Sequence, residues 1–460
     1  MNKKLKEFEK YLSDKKIAVI GMGVSNVPLL EILVKNGNSV CVFDKKSIDD
    51  MPDKAQEIIK EHNVSCFTGD DYLEHLIGFD VIFRSPSFLP TNSYLVKEKE
   101  RGALITTEIE QVIKNSPAHI IGVTGSKGKT TTTTIIHAIL EKLGYHTYLG
   151  GNIGMPLYSK LDEMTKDDIV VLELSSFQLM NMTVSPHIAV VTNISPDHLD
   201  VHGSYEEYIQ AKKYIYLNQS KDDVLVLNHD DEVVRDFSQE ASGEVRYFGS
   251  NYLVDSYVLD GDFISYNGEH VIDTRKLLLK GQHNYLNVAC ALNAIKDYIH
   301  VSSDELQSIV EVINPVHHRL EFVREINGVK WYNDSASTTP DKALAGINAF
   351  DEKIVLIAGG SDKNISYEPL AKAIGRKVSK LILFGETKNK IYDEVMKLPR
   401  GLSKNVEIYV LDTLDEVIDF ANRVSVKGEV VLFSPASASF DMFKNAYQRG
   451  DLFKEKVNKL

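Results

Sequence analysis

Six consecutive residues, Gly125-Ser126-Lys127-Gly128-Lys129-Thr130, carry the clearest chemistry in the chain. Two glycines let backbone N–H groups turn toward one anion, and a helix starting just after them adds the positive end of its dipole. Lys129 offers a point charge to outer phosphates, and the Thr130 hydroxyl offers oxygen to Mg²⁺. An apolar run at 120–123 leads in and a threonine run follows, so the context is strand, turn, helix. The usual phosphate-loop spacing would need glycine at 123, where Val123 stands. The motif is the shorter G-x-x-G-K-T. It points to nucleotide phosphate, against the plainer reading of an ordinary strand–turn–helix.

Further polar groups stand at the ends of apolar runs. Glu173 lies in VLELSSFQL, where an acid is costly unless paired or bound to metal; Mg²⁺ takes such oxygen ligands together with phosphates. His198 follows an apolar run at 187–193 and could meet the same ion, or be a structural loop histidine. Lys212, on an amphipathic segment with Tyr208, Ile209, Ala211 and Ile215, reads by itself as a solvated lysine. Asn284 in GQHN fits either an adenine edge or a helix cap. Arg319 suits a γ-phosphate, Asp334 a ribose and Lys363 a substrate carboxylate, and each is equally readable as surface charge. Near the N-terminus Gly21-Met22-Gly23 follows a strand and precedes Asp44 by about twenty residues, a dinucleotide-fold spacing. Asn26 occupies the third glycine's place, so a nucleotide diphosphate fits that turn at least as well as NAD.

The elements that must hold these groups alternate between strand and helix. Strands are expected at 17–20, 40–43 and 81–83, then at 120–123, 170–174, 187–193 and 224–228, and last at 329–332, 354–358, 381–384 and 430–433. The leucines at 277–279 are expected to form a strand before the glycine turn at Gly281. The pattern restarts near 101 and breaks at Asn314-Pro315, since a residue before proline avoids the α region. Three α/β domains are therefore expected: 1–101, Rossmann-like; 102–314, of phosphate-loop type; and 315–460, Rossmann-like again. Ligands of such sheets sit at the carboxyl ends of the strands.

Composition narrows the partners. The 460 residues are 43% hydrophobic and 25% charged, with a net charge of −13. That balance disfavours nucleic acid or an anionic membrane as the main partner. Cys41, Cys66 and Cys290 show no metal or redox spacing. Residues 1–16 mix charges without an apolar core, and no apolar run approaches the roughly 18 residues of a membrane span. A cytoplasmic protein, not inserted in a membrane, is expected.

Taken in order, GVTGSKGKTT, LELSSFQL, NISPDHLD, GQHN, HHRLE, WYNDSASTTP, IAGGSDK and SPASASFDMFKNAYQRG resemble the Mur ligase family across all three domains. The closing block and LELSSFQL are similar to the branch that joins D-glutamate to UDP-N-acetylmuramoyl-L-alanine, and the DNPR signature of the diaminopimelate- or lysine-adding branch is absent. The resemblance implies an ATP-dependent, monomeric ligase of peptidoglycan precursor synthesis that works through an acyl phosphate and needs Mg²⁺. The alternatives are a sibling that adds another amino acid and a nucleotide-binding homologue without activity. It assigns Gly125, Ser126, Lys127, Gly128, Lys129, Thr130, Thr131, Asn284, Arg319 and Asp334 to ATP. Val24, Ser25, Asp44, Ser85, Asn152, Ser175 and His198 go to the UDP substrate, and Thr338, Lys363, Ser439 and Phe440 to D-glutamate. Lys129, Glu173, His198 and Lys212 are implied as catalytic. Thr130, Glu173, His198 and a carbamylated Lys212 are implied at Mg²⁺. The sequence departs from the family pattern at Ala336, Ser87 and Ala446, where lysine, glycine and an aromatic are common.

Overall fold

Short apolar runs bounded by glycine, serine or aspartate become buried strands. In a parallel sheet both faces are covered, so such strands read as nearly continuous hydrophobic runs. The computed structural model describes residues 2–250, 254–259, 262–266, 269–314, 316–403 and 406–460. Among the described residues the strands form three sheets.

The first sheet comprises β1 (Lys16–Ile20), β2 (Ser39–Asp44), β3 (Ser65–Thr68), β4 (Val81–Arg84) and β5 (Leu104–Thr106), ordered β3-β2-β1-β4-β5 with every neighbour parallel. The strand order reverses between β1 and β4. A crevice is expected beyond their carboxyl ends, at 21–26 and 85–87. This sheet continues through β5, past residue 101. Pro315, at the second expected limit, lies outside the described residues.

The second sheet comprises β6 (His119–Thr124), β7 (Thr147–Gly151), β8 (Ile169–Glu173), β9 (Ile188–Val191), β10 (Val224–Asn228), β11 (Glu244–Gly249), β12 (Ser256–Leu259), β13 (Phe263–Tyr266) and β14 (Glu269–Asp273). Its order is β14-β13-β12-β11-β10-β9-β6-β8-β7. β6 lies between β8 and β9, both parallel to it, so the phosphate loop emerges beside Glu173 on one side and residues 192–195 on the other. The leucines at 277–279 are not a strand. Leu277 and Leu279 are buried from an irregular segment between the short turn Thr274–Lys276 and the helix Gln282–Ala294. Their apolar character serves the core without a ladder.

The third sheet comprises β15 (Glu321–Ile326), β16 (Val329–Asn333), β17 (Ile354–Gly359), β18 (Val378–Phe384), β19 (Glu407–Val410) and β20 (Val430–Phe433). Its order is β15-β16-β20-β17-β18-β19, parallel except for the β15–β16 hairpin. The order reverses between β17 and β20, which directs a second crevice to 360–363 and 434–440.

The chain forms two compact units: 1–259 with 265–270 and 286–301, and 260–264 with 271–285 and 302–460. In the first, one apolar core runs from the helix Lys3–Leu12 through β1, β6 and β8 to Phe237, so the first two sheets share it. In the second, separate apolar clusters cover the two faces of the third sheet. Among the described residues, no helix is long and apolar enough to cross a membrane.

Candidate active site

The phosphate loop is held from behind by residues that follow β9. Ser126 N donates to the Asn193 carbonyl (2.8 Å) and Lys127 N to Asn193 Oδ1 (2.9 Å). Thr192 Oγ1 donates to the Lys127 carbonyl at 2.6 Å, and Ser126 Oγ to that of Ser195 at 3.0 Å. Gly125 (φ 143°) and Gly128 (φ 84°) take backbone conformations that L side chains rarely adopt. At Gly125 a Cβ would lie 1.9 Å from Thr192 Oγ1. Gly128 caps the helix Lys129–Lys142, placing Thr130 and Thr131 in its first turn.

Two lysines meet at one carbonyl. Lys129 Nζ donates to the Gly125 carbonyl at 2.8 Å and to that of Ser126 at 3.2 Å, while Lys212 Nζ donates to the Gly125 carbonyl at 2.9 Å. Lys212 is not the solvated lysine its helix suggests: it is 1% exposed. Burial first, and the charge of Lys129 second, hold its ammonium well below the usual lysine range. Its Nζ rests 4.7 Å above the ring of Tyr208, whose hydroxyl shares a 2.8 Å hydrogen bond with Ser126 Oγ. Tyr208 thus links the helix Tyr205–Lys213 to the loop, a role sequence reasoning missed although its i, i+4 spacing to Lys212 was visible.

Glu173 ends β8 and is 1% exposed. Its Oε1 accepts from Asn152 Nδ2 at 2.8 Å, while Oε2 is buried and has no hydrogen-bond partner among the described residues. Gly151 has no room for a side chain here, since a Cβ would sit 2.1 Å from the Glu173 carbonyl. An unpaired buried carboxylate oxygen is expensive, and its chemistry fits a hard cation. His198, by contrast, is exposed at φ 53°, its ring 5.2 Å from that of Phe177 in a T-shaped contact. Among the described residues no three His, Cys, Asp or Glu side chains converge on a metal position.

A cleft of about 390 Å³ opens where the first sheet's strand order reverses. Val24, Ser25 and Asn26 line it on one side, Ser85–Ser87 on another, and Asn152, Ser175 and Phe177 close it from the second sheet. Ser175 caps the short helix Ser176–Leu179 in a reciprocal capping box with Gln178. Asp44 and His198, both expected at the UDP substrate, do not line the cleft. Asp44 turns back instead, accepting from Met22 N (2.7 Å) and Lys46 N (2.9 Å), and so fixes the glycine turn. Asn26 fills the third-glycine place and donates to the Ile20 and Gly21 carbonyls, both at 3.0 Å.

The second unit carries the remaining expected residues. Asn284 Nδ2 donates to the Lys280 carbonyl at 2.8 Å. Arg319 is exposed, and Asp334 is buried, accepting from Ser434 Oγ at 2.6 Å and from Leu320 N at 3.3 Å. Burial pushes the Asp334 carboxyl up to about 6, against those hydrogen bonds and the Arg319 charge. Thr338 and Lys363 come together, Nζ to Oγ1 at 3.3 Å. Ser361 N donates to the Ala438 carbonyl at 2.9 Å, so the loops bearing Lys363 and Ser439 adjoin. Ser439 is buried, and Phe440 is 73% exposed. Arg449, fully buried, donates to the carbonyls of Ser335, Ser437 and Ala438 and ties these loops into one rim.

Family models match in chain order: "MurD N-terminal domain" over 16–94, "Mur ligase middle domain" over 123–295, and "Mur ligase, glutamate ligase domain" over 318–437. A UDP-N-acetylmuramoylalanine–D-glutamate ligase of Clostridium kluyveri is 46% identical over 459 residues, covering 100% of both chains. One from Clostridium botulinum (strain Langeland) is 45% identical, covering 99% of both. Among solved structures, a UDP-N-acetylmuramate-alanine ligase of Thermotoga maritima gives a TM-score of 0.59 at 20% identity, covering 97% of this chain and 99% of that one. The MurF ligase of the same organism, in complex with ADP, gives 0.57 at 18% identity over 98% and 97%. At these identities the structural likeness speaks to the fold. The ordered motifs, the matched models and the full-length relatives agree: this three-domain α/β chain belongs to the Mur ligase family of ATP-dependent ligases.

Proposed function

We propose that the protein joins the amine of D-glutamate to the terminal carboxylate of UDP-N-acetylmuramoyl-L-alanine, driven by cleavage of ATP to ADP and phosphate. The observation that carries this reading is Asn152. It lines the cleft, and it also donates to Glu173, the carboxylate beside the phosphate loop. A nucleotide-sugar seated between the 21–26 turn and Ser175 would direct its far end toward that carboxylate. A carboxylate is a poor electrophile. Transfer of the γ-phosphoryl group makes an acyl phosphate, amine attack gives a tetrahedral intermediate, and its collapse releases phosphate and the amide.

The loop N–H groups and Lys129 cradle the phosphates. Glu173 Oε2 and Thr130 would hold one Mg²⁺, and His198 with Lys212 a second. The ions offset charge on the phosphates when bound. Lys212 suits this only as a carbamate. Burial favours the amine form, which adds to CO₂, forms an N–C bond and releases one proton, and a donor thereby becomes an anion. Asn284, Arg319 and Asp334 serve the nucleotide, and Thr338, Lys363 and the Ser439–Phe440 backbone hold the amino acid.

A mass-based ligation assay with UDP-N-acetylmuramoyl-L-alanine, ATP and Mg²⁺ tests the proposal, supplying D-glutamate, L-glutamate or L-alanine in turn. Product and ADP with D-glutamate alone are expected. Product with another amino acid, or none, overturns it. Lys212→Ala should lose activity that acetate partly restores, and a fully active variant would remove Lys212 from the site.

A further inference from the structure

Arg84 ends β4 and is only 3% exposed. Its guanidinium meets main-chain carbonyls on two sides. Nη1 reaches those of Phe88 (3.1 Å), Pro86 (3.4 Å) and Ser85 (3.5 Å) in its own loop. Across from them, Nη2 donates to the Met180 carbonyl at 2.9 Å, and both nitrogens lie 3.5 Å from that of Phe177. Burial lowers its guanidinium to about 10, against the charge of Glu110. Among the described residues no carboxylate is in hydrogen-bond contact with it; burying such a cation is costly, and nothing in the reaction chemistry uses this one directly.

The carbonyls it holds belong to both walls of the cleft. Ser85–Ser87 line one wall, and Phe177 lies in the other beside Ser175. A guanidinium is a rigid planar fork of five donors on separated nitrogens that can hold carbonyls of both walls at once, whereas an ammonium offers three donors from one nitrogen on a flexible stem and fixes their separation less firmly. We propose that Arg84 is a positioning residue that fixes the separation of the two cleft walls and so sets affinity for the nucleotide-sugar substrate. This rests on the cleft being the UDP-substrate site. ATP and the amino acid use other loops, so their binding is untouched.

Arg84→Met removes every donor, and Arg84→Lys keeps the charge without the fork. In Arg84→Met the KM for UDP-N-acetylmuramoyl-L-alanine should rise about tenfold or more, while those for ATP and D-glutamate stay within about twofold. Arg84→Lys should recover only part of the loss. Full recovery would mean that charge alone matters and overturns the proposal, as would an equal rise in all three KM values. Should Arg84→Met not fold, the kinetics of Arg84→Lys and hydrogen exchange in the unsubstituted enzyme decide. Segments 85–88 and 177–180 should gain protection together when the UDP substrate is added, and independent responses overturn the proposal. An unsubstituted enzyme that fails to bind the UDP substrate refutes the cleft's assignment itself. Binding that is equal in all three proteins refutes only the role of Arg84.

Discussion

Replacing Glu173 with glutamine should make the metal-free protein more stable and nearly inactive. In the native side chain Oε1 accepts from Asn152, while Oε2 is buried with no partner among the described residues. Glutamine can keep its oxygen on Asn152 and place its NH₂ group where Oε2 was. An unpaired buried charge is thereby exchanged for an unpaired buried amide. The difference between those two penalties is about 1–2 kcal/mol in favour of the variant. For a cooperative unit of this size that corresponds to a Tm rise of roughly 1–3 °C. Adding Mg²⁺ and ADP at a hundred times Kd stabilises the native protein by about 2.7 kcal/mol; the variant should lose most of this gain. If Glu173 holds Mg²⁺ as proposed, its loss should lower kcat by about a hundredfold or more. Scanning calorimetry of both proteins, with EDTA and then with Mg²⁺ and ADP, measures each quantity. A variant no more stable in EDTA, or one that gains the full Mg²⁺–ADP increment, would refute the reasoning.

Two further perturbations probe the other unshared features. Gly125→Ala puts a Cβ onto Thr192 Oγ1 in a left-handed backbone conformation, and should cost roughly 2–4 kcal/mol of stability along with ADP affinity; titration calorimetry showing native affinity would contradict it. Asp334 is an acid whose folded value, about 6, lies above its ordinary 3.8. Its proton uptake therefore favours the fold fully below about pH 4, and that contribution, up to about 3 kcal/mol, is lost as pH rises through 6. The Tm of Asp334→Asn relative to the native protein should climb from pH 4 to pH 7 and then level off, and a flat difference would remove the burial argument.

The parts of the molecule legible in the sequence were those fixed by local pattern. β1, β6, β8, β17 and β20 are apolar runs that stop at glycine, serine or an acid, and the phosphate loop is a contiguous motif. What failed to show was set by tertiary contact. Lys212 is buried because the face of its helix bearing Tyr208 packs against the phosphate loop, and nothing in its own segment says so. Asp44 has a dinucleotide-fold spacing, yet its carboxylate accepts from the Met22 amide of the glycine turn and from the Lys46 amide two residues on. Leu277 and Leu279 are core residues without a strand partner, which periodicity alone does not separate from a short strand. Arg84 and Arg449 give no sign of their role in the sequence, because besides carbonyls of nearby loops each holds some far along the chain, those of Phe177 and Met180 for Arg84 and that of Ser335 for Arg449.

The glycines at 125 and 151 bear on how this site tolerates change under selection. A side chain at either would be driven into Thr192 Oγ1 or the Glu173 carbonyl, at 1.9 and 2.1 Å. An inhibitor that takes its affinity from the backbone around these two positions would press on points where resistance by substitution is blocked by the enzyme's own architecture. One that leans on Val24, a side chain 81% exposed at the cleft mouth, would leave an easy escape.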